Sequence, residues 1–332
     1  MSPKFPLRQL FNVVCVAQAG RLEYESLLFV RSFRQMNPDF SGRLIVAEPG
    51  GPRWNGATTR ISDPVRALLI QDGAEILPFE NQVFGHDYPY GNKIEALTAL
   101  PPEPFIFFDT DTVFTGPLSD VDLNFDHPSA SMRREGTWPE PPLYGPGYTE
   151  IWKCLYDRFG LEFESTLDRS KPDEYWERYM YFNAGWFFGA NAQEFGSRFL
   201  EFARSIRDET PDELACQSLD PWLDQIALPL VIASYGGGRP GPDLDGLDGT
   251  VSCHYRALPL LYAKEPDAAV QMIENIAQPN KVKKVLKQYE PIKKLVIQGK
   301  GARIRALFDR DDMPKREKVI RNTIKREGLW MR

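Results

Sequence analysis

The sequence contains no run of eighteen apolar residues, so we expect no segment to span a membrane. It also lacks Gly-x-Gly-x-x-Gly after the first predicted strand, which argues against a dinucleotide-binding Rossmann domain. Internal repeats and low-complexity tracts are missing too. What is left is a chain of 332 residues with ordinary charge and aromatic content, long enough for one large or two small globular domains.

Cysteine is scarce as well. The four cysteines stand at positions 15, 154, 216 and 253, and none forms a Cys-x-x-Cys pair. Cys15 and Cys253 fall in predicted strands, where a buried free thiol is the usual state. This usage is typical of a reduced, cytosolic protein.

Positive charge is scarce in most of the chain and concentrated at its end. Residues 1–278 hold 23 Lys or Arg and 40 Asp or Glu, whereas residues 279–332 hold 17 and 6. The formal net charge of −6 therefore hides a tail of net +11. Such a tail is a solvated helical face, a patch for an anionic membrane or a nucleic-acid patch. We expect no nucleic-acid partner, because the rest of the chain is strongly acidic.

The N-terminus allows two interpretations. Lys4 and Arg8 precede a short apolar stretch, and Ala17-Gln18-Ala19 resembles the small-residue site at which a signal peptide is cleaved. Alternatively, the stretch is the first strand of a sheet, and a helix follows it. We favour the strand, because the apolar stretch is short and Asn12 interrupts it.

The first hundred residues alternate between strand and helix patterns, which predicts βαβ units and a mainly parallel sheet. The predicted strands are 13–17, 43–47 and 74–79, and the predicted helices are 23–35, 64–71 and 92–100. Later segments predict a strand region over 179–190 that Asn-Ala-Gly at 183–185 breaks, helices over 193–207 and 219–227, and a short strand over 250–255. Between them, an insertion over 134–175 is rich in Pro, Gly, Trp and Tyr. We interpret it as part of a binding surface or as a packed loop without a ligand.

The most informative segment runs from 104 to 118, where Phe105 to Phe108 lead without alternation into Asp109-Thr110-Asp111. Such an apolar run is typical of a strand buried on both faces of a parallel sheet. Strand geometry would point both carboxylates the same way, so they repel unless a cation lies between them. A divalent metal would relieve that repulsion, at the edge where open α/β sheets bind ligands. The alternative is a turn in which both aspartates cap backbone N–H groups.

Four other segments accompany this one in a definite order. They are Gly-Asn-Lys-Ile-Glu-Ala-Leu at 91–97, Phe-Asn-Ala-Gly at 182–185, Trp-Leu-Asp-Gln-Ile-Ala at 222–227 and Cys-His-Tyr at 253–255. The set resembles the GT-A glycosyltransferases, most nearly the glycogenin-like and bacterial lipooligosaccharide galactosyltransferase family, over roughly residues 12 to 262. The resemblance implies a GT-A-type, Rossmann-like α/β fold with a mixed, mainly parallel sheet flanked by helices. A catalytic domain over 1–278 would be followed by a basic helical extension over 279–332.

The resemblance also implies roles for individual residues. Asp109 and Asp111 match the family's Asp-x-Asp, which coordinates Mn²⁺ or Mg²⁺ and contacts the nucleotide ribose. His254 matches a late histidine that adds a nitrogen ligand, a mixture that suits Mn²⁺ better than Mg²⁺. Its alternative is an ordinary strand histidine. Lys93 would pair with the phosphates of a nucleotide sugar, unless it is an exposed helix lysine.

Two more motifs would contact the donor sugar. Asn183, Ala184 and Gly185 would bring backbone close to it, since glycine permits close approach, and a bulge in a buried strand is the alternative. Asp224 and Gln225 match an Asp-Gln pair under the reacting sugar carbon. In the alternative interpretation, Asp224 forms an ion pair with an arginine.

Gln18, Arg21 and Tyr24 match the region where the family holds the nucleotide base. The whole set suits sugar transfer, because a metal and Lys93 would neutralise a leaving nucleoside diphosphate while a carboxylate or amide stabilises an oxocarbenium-like sugar. The sequence departs from the family at one point, because no His-x-x-Gly-x-x-Lys-Pro follows His254. That departure leaves the third metal ligand and the stereochemical outcome open.

Three other functions fit parts of the sequence. The sequence from Asp109 to Val113 also resembles the first motif of haloacid-dehalogenase-like phosphatases, in which Asp109 would be a covalent nucleophile. That motif usually lies on the first strand, whereas three strand–helix patterns precede it here. A sugar nucleotidyltransferase would need Gly-x-Gly-x-Arg after the first strand, and Ala17 to Arg21 supply only its end. A non-catalytic nucleotide- or carbohydrate-binding module is the third.

On these grounds we expect a metal-dependent glycosyltransferase that moves a sugar from a nucleotide sugar, a UDP-sugar in our interpretation, to a glycan or lipid-linked acceptor. We expect a cytoplasmic location. The basic tail, which ends in Leu329-Trp330-Met331, suggests peripheral docking at the inner face of a membrane. Packing of the tail on the acidic domain is its alternative.

Overall fold

The computed structural model describes residues 10–134 and 136–332. Its main sheet has the strand order β3-β2-β1-β4-β6, in which β6 is antiparallel to β4 and the other neighbours are parallel. The strands are β1 Asn12–Val16, β2 Leu44–Gly50, β3 Glu75–Glu80, β4 Phe105–Phe108, β5 Thr112–Phe114, β6 Trp186–Gly189 and β7 Ser252–His254. The predicted α/β class with a mainly parallel sheet is confirmed.

The central strands are buried on both faces because their apolar residues face two different cores. In β1, Val13 and Cys15 pack into one apolar cluster, and Val14 and Val16 pack into the other. In β4, Ile106 and Phe108 join the first cluster and the intervening phenylalanines join the second. This double burial explains why these strands read as unbroken apolar runs.

The apolar stretch near the N-terminus is therefore the central strand β1, as predicted. Lys4 and Arg8, which suggested a leader, lie outside the described residues. Cys15 and Cys253 are buried free thiols, as expected for cysteines in strands.

The helices flank the main sheet and also form the C-terminal segment. They are α1 Arg21–Met36, α2 Asp63–Gln71, α3 Asn92–Thr98, α4 Tyr148–Arg158, α5 Ala192–Asp208, α6 Leu223–Ser234, α7 Leu258–Lys264, α8 Asp267–Ile276, α9 Asn280–Leu286, α10 Glu290–Ile292, α11 Gly301–Arg305 and α12 Glu317–Arg326. The helix α1 begins where the Glu23 carboxylate accepts the Gly20 N–H at 3.2 Å. At the start of α5, the Asn191 side chain caps the Glu194 N–H at 3.1 Å.

The structure differs from the sequence prediction at several elements. Of the predicted strand region over 179–190, only Trp186–Gly189, after the predicted break at residues 183–185, forms a strand. The predicted helix over 219–227 begins later and becomes α6, Leu223–Ser234, which continues through Pro229. The insertion is not wholly a loop, since it contains α4 and buries Trp138 and Trp152 edge to face with ring centroids 5.3 Å apart.

A second, two-stranded sheet brings distant residues together at the edge of the first. The strands β5 and β7 pair antiparallel, with Thr112 opposite His254 and Val113 opposite Cys253. The chain passes from β4 to β5 through Asp109-Thr110-Asp111, and the Tyr255 N–H donates to the Asp111 carbonyl at 2.9 Å. This register places His254 beside the Asp-x-Asp turn.

The C-terminal segment packs against the rest of the chain. Near the start of the basic tail, α9 buries Val282, Val285 and Leu286. Apolar side chains from α10 to the chain end join the same core as β1 and α1, among them Ile292, Leu295, Ile304, Ile320, Ile324 and Leu329. Packing of the tail on the main domain, one of the two interpretations of its charge, is what the structure shows. No helix among the described residues has the length and apolarity to cross a membrane.

Candidate active site

The two aspartates of the Asp-x-Asp turn converge with His254. A carboxylate oxygen of Asp109, one of Asp111 and an imidazole nitrogen of His254 lie within 4.8 Å of one another. The His254 Nε2 atom is 3.0 Å from Asp111 Oδ1 and 3.9 Å from Asp109 Oδ2. Two oxygens and one imidazole nitrogen from three buried or partly buried side chains form a donor set suited to a divalent metal.

The geometry of this cluster differs from the expected one in a single respect. The strand β4 ends at Phe108, so Asp109 and Asp111 occupy a turn and are not consecutive same-face positions of one strand. They converge because β5 and β7 pair antiparallel and carry His254 to the turn.

The protonation of the cluster follows from burial and mutual attraction. Burial raises the pKa of Asp111, but the nearby His254 and Arg21 lower it by more than burial raises it. The pKa of Asp111 therefore lies well below its usual range. Burial also raises the pKa of Asp109, and Lys93 and His254 oppose that rise without cancelling it. For His254, burial lowers the pKa and the two aspartates raise it to a net value above normal. A metal would therefore compete with a proton on His254.

Lys93 links the Asp-x-Asp turn to Asp224. Its ammonium lies 3.0 Å from Asp109 Oδ1 and 3.3 Å from Asp224 Oδ2, and it donates to the Ala184 carbonyl at 3.2 Å. Burial lowers the pKa of Lys93, and the two carboxylates raise it to a net value well above normal. Lys93 is not an exposed helix lysine, because it is 8% exposed and its nitrogen has three protein partners.

Asp224 is 1% exposed and is held from a second side by a residue that the sequence did not indicate. The Tyr88 hydroxyl donates to Asp224 Oδ1 at 2.8 Å and accepts the Asp224 N–H at 3.0 Å. Asp224 thus pairs with a lysine rather than an arginine. Its neighbour Gln225 accepts the Tyr181 hydroxyl at 2.8 Å, and both Gln225 and Tyr181 line the same cavity as the metal cluster.

The segment 183–185 forms a turn that approaches His254 closely. The Asn183 side chain accepts the Gly185 N–H at 2.7 Å, and Ala184 has a φ of 54°. A Cβ atom added at Gly185 would lie 2.2 Å from His254 Nδ1. Glycine is thus required here by the imidazole.

The three residues predicted to hold a base have different surroundings. Arg21 binds Glu25 at 2.8 Å, lies 3.6 Å from Asp111 and lines the cavity. Gln18 accepts the Asn92 side-chain amide at 3.1 Å. Tyr24 is directed elsewhere, since its buried ring stacks on Tyr289 with centroids 5.3 Å apart.

One cavity of about 1140 Å³ collects most of these groups. It is lined by Arg21, Lys93, Asp109, Asp111, Asn183, Asp224, Gln225 and His254, and also by Arg134, Thr137 and Glu140 of the insertion. The C-terminal segment forms another part of its wall, through residues between Lys315 and Lys325 and through Arg332. This contribution to the cavity could not be predicted from the sequence, because the acidic motifs and the basic tail are far apart along the chain.

The comparison with known families decides the class of the protein. The model of a family described as the Rhodobacterales glycosyltransferase domain matches residues 13–236. The chain belongs to this family. The matched part of the chain runs from β1 into α6 and its C-terminal turn, so it includes Asp109, Asp111 and Asp224. His254 and the C-terminal segment lie beyond it.

Several solved structures are similar to this chain in fold. The galactosyltransferase LgtC, in complex with donor and acceptor sugar analogs, is 15% identical, with 72% of this chain and 78% of that chain covered and a TM-score of 0.39. The bifunctional WbbM is 14% identical, with 87% and 53% covered and a TM-score of 0.45. GlyE of Streptococcus pneumoniae TIGR4 is 12% identical, with 69% and 45% covered and a TM-score of 0.37. No curated protein matches the sequence.

The recognition of a glycosyltransferase from the ordered motifs is therefore confirmed. Family membership also decides between the classes of function considered above. The protein is an enzyme of sugar transfer rather than a phosphatase built on Asp109 or a binding module.

Proposed function

We propose that this glycosyltransferase is metal-dependent and transfers a sugar from a nucleotide-sugar donor, specifically a UDP-sugar. The observation that carries the proposal is the convergence of Asp109, Asp111 and His254 in the wall of the large cavity. The two carboxylates of this turn and the imidazole of His254 offer ligand atoms to a cation, and a nucleoside diphosphate needs a cation to neutralise its charge. A divalent metal held by these three side chains would serve the diphosphate.

The residues present fit such an ion. The donor set mixes oxygen with nitrogen, a chemistry that favours Mn²⁺ over Mg²⁺. The Nε2 atom of His254 faces both aspartates, so it is the imidazole nitrogen that would bind the ion. When bound, the metal would neutralise negative charge on the departing diphosphate.

The chain's own residues hold and polarise the donor in this proposal. Lys93 fixes the spacing between Asp109 and Asp224, and Tyr88 fixes Asp224 from the other side. Asp224 and Gln225 face the reacting sugar, where a carboxylate and an amide oxygen stabilise developing positive charge. Arg21 and Gln18 lie toward the nucleotide, and the turn 183–185 lies against the sugar.

The acceptor in this proposal is a glycan or a lipid-linked sugar. Two aromatic side chains in the cavity wall are unusually open, because Tyr90 is 51% exposed and Trp222 is 40% exposed. Exposed rings beside Asp224 and Gln225 offer flat apolar faces to a sugar ring. We place this reaction in the cytoplasm, where nucleotide sugars would be supplied.

Calorimetric titration tests the metal and the donor together. UDP, GDP, ADP and their sugar conjugates are titrated with and without Mn²⁺ into the wild-type protein and the Asp111→Asn variant. We expect UDP and a UDP-sugar to bind only with Mn²⁺, and Asp111→Asn to lose that binding. Slow hydrolysis of the bound donor is the matching activity measurement. Tight metal-free binding, or no binding of any nucleotide, would overturn the proposal.

A further inference from the structure

The C-terminal segment adds an unexpected concentration of positive charge to the cavity. Among the described residues that line it, eleven are Lys or Arg and five are Asp or Glu, although the whole chain has a formal charge of −6. Six of the eleven come from the last eighteen residues: Lys315, Arg316, Lys318, Arg321, Lys325 and Arg332. The tail that looked like a surface patch in the sequence therefore faces the active site.

The helix α12 has the two-sided pattern that this placement requires. Its Ile320 and Ile324 are buried in the core shared with β1 and α1. Lys318, Arg321 and Lys325 follow at i, i+3 and i+7, so they share another face, and that face lines the cavity. We call these three side chains the cationic wall.

Several cations in the other parts of the cavity wall are already neutralised. Lys93, Arg21, Arg133 and Arg256 each bind a carboxylate, as does Arg321 within the cationic wall itself. Neither Lys318 nor Lys325 forms an ion pair with a described carboxylate, although the Lys325 ammonium lies 5.7 Å from the centre of the Trp330 ring. Both lysines are exposed and line the cavity, so their charge is available to a ligand.

The wall is also fixed in place next to the metal cluster. The Glu317 carboxylate, in the first turn of α12, binds Arg256, which follows His254 by two residues. The same carboxylate binds Lys264 at 3.0 Å and Arg321 at 2.7 Å. These contacts join α12 to the strand that carries His254, so the wall needs little reorganisation to meet an anion bound at the cluster.

We propose that Lys318 and Lys325 of the cationic wall bind the diphosphate of the donor from the side opposite Asp109 and Asp111. The inference rests on the proposed nucleotide-sugar function. It assigns the binding of the leaving diphosphate to two residues that lie outside the part of the chain matched by the family model. The leaving nucleoside diphosphate carries more negative charge than one divalent ion neutralises, and lysines are suited to the remainder as point charges. Their ammonium groups also stabilise the charge that grows as the sugar–phosphate bond breaks.

The test is calorimetric titration of inorganic diphosphate and of UDP, with saturating Mn²⁺, into the full-length protein. The variants are Lys318→Ala, Lys325→Ala and, as a matched control, Arg326→Ala on the same helix, which is 75% exposed and outside the cavity lining. We expect each lysine variant to bind both compounds about tenfold more weakly, in line with one lost charged hydrogen bond. Uridine and Mn²⁺ affinity should stay at wild-type values, as should every affinity of Arg326→Ala.

The outcomes separate this inference from the proposed function. Equal diphosphate affinity in wild type and both lysine variants overturns the inference and leaves the nucleotide-sugar proposal intact. Failure of the wild-type protein to bind diphosphate overturns it as well. If diphosphate binding depends on the two lysines but no nucleotide sugar is turned over, the proposed role of the cationic wall is supported and the proposed donor is contradicted.

Discussion

The side chains of the candidate site support one another through charge. Lys93 is the central case, because its single ammonium serves two carboxylates, one in the Asp-x-Asp turn and one on α6. Burying a charge is costly unless it is paired, and removing one partner of a buried pair leaves the other uncompensated. The residues that we propose to position the metal and the sugar thus also contribute to the stability of the fold.

Replacing Lys93 by methionine should therefore destabilise the metal-free protein. The reason is that Asp109 and Asp224 would both lose their cation, at a cost of about 3 kcal/mol or more. Thermal unfolding measures the loss, and Lys153→Met, at an exposed pair on α4, is the control, which we expect to change little. Saturating Mn²⁺ should restore part of the lost stability, because a cation returns to Asp109. An unfolding midpoint equal to wild type would contradict the pairing.

A second prediction at the scale of one residue concerns Gly185. The change Gly185→Ala places a methyl group where His254 Nδ1 now lies 2.2 Å away, so the imidazole must move. We expect Mn²⁺ affinity to fall by about tenfold or more, as when the support of a metal-bound histidine is removed. Titration calorimetry measures it, and Gly238→Ala is the control, since nothing lies within 4 Å of its added Cβ. Unchanged Mn²⁺ affinity would show that His254 is not a ligand.

At the scale of elements, one carboxylate attaches the last helix to the rest of the chain. Burial raises the pKa of Glu317, but Arg256, Lys264 and Arg321 together lower it by more than burial raises it. The pKa of Glu317 therefore lies below the ordinary value of 4.5. The ionised group therefore stabilises the folded state above pH 4.5. That contribution is lost as the pH falls from 4.5 through the folded-state pKa.

The change Glu317→Gln removes this attachment. We expect it to lower the free energy of unfolding by about 3 kcal/mol near neutral pH, since three cations would lose their shared carboxylate. The difference from wild type should shrink below pH 4.5, where the native Glu317 itself becomes protonated. Urea titrations at pH 7 and pH 4 measure both values, with Glu290→Gln, at an exposed pair, as the control. If the difference in the free energy of unfolding between wild type and variant grew as the pH fell, the ionised Glu317 carboxylate could not be the source of this stability.

At the scale of the whole molecule, the C-terminal segment is part of the core. Ile292, Leu295, Ile304 and Ile324 are buried against elements of the first 278 residues. A chain ending at residue 278 should therefore expose apolar surface and fail to fold. We expect it to be insoluble, or to unfold in urea at much lower concentration than the full chain. A truncated protein that folds with wild-type stability would show that the two segments are independent domains.

This packing also changes how the predicted membrane docking must be tested. Truncation would remove core residues together with the basic ones. The exposed lysines of α9 and its C-terminal turn, Lys281, Lys284 and Lys287, lie outside the cavity lining and can be reversed to glutamate in the folded protein. Sedimentation of both proteins with anionic liposomes is the measurement. Equal, negligible sedimentation would contradict docking through these lysines.

The sequence by itself determined the sheet, the class of enzyme and most of the residues at its edge. Apolar runs without alternation, such as those of β1 and β4, are visible in the sequence and predict strands buried on both faces. The order of Lys93, Asp109, Asp111, Asn183, Asp224 and His254 was sufficient to indicate a glycosyltransferase.

Only the tertiary structure decided how those residues meet. Pairing of β5 with β7 brings His254 to the Asp-x-Asp turn, Tyr88 reaches Asp224 across 136 positions of the chain, and α12 turns its lysines into the cavity. These contacts join segments that are distant in sequence, and no local pattern of hydrophobicity or charge encodes which distant segment a side chain will face. The basic tail shows this most clearly, because its charge was visible in the sequence and its direction was not.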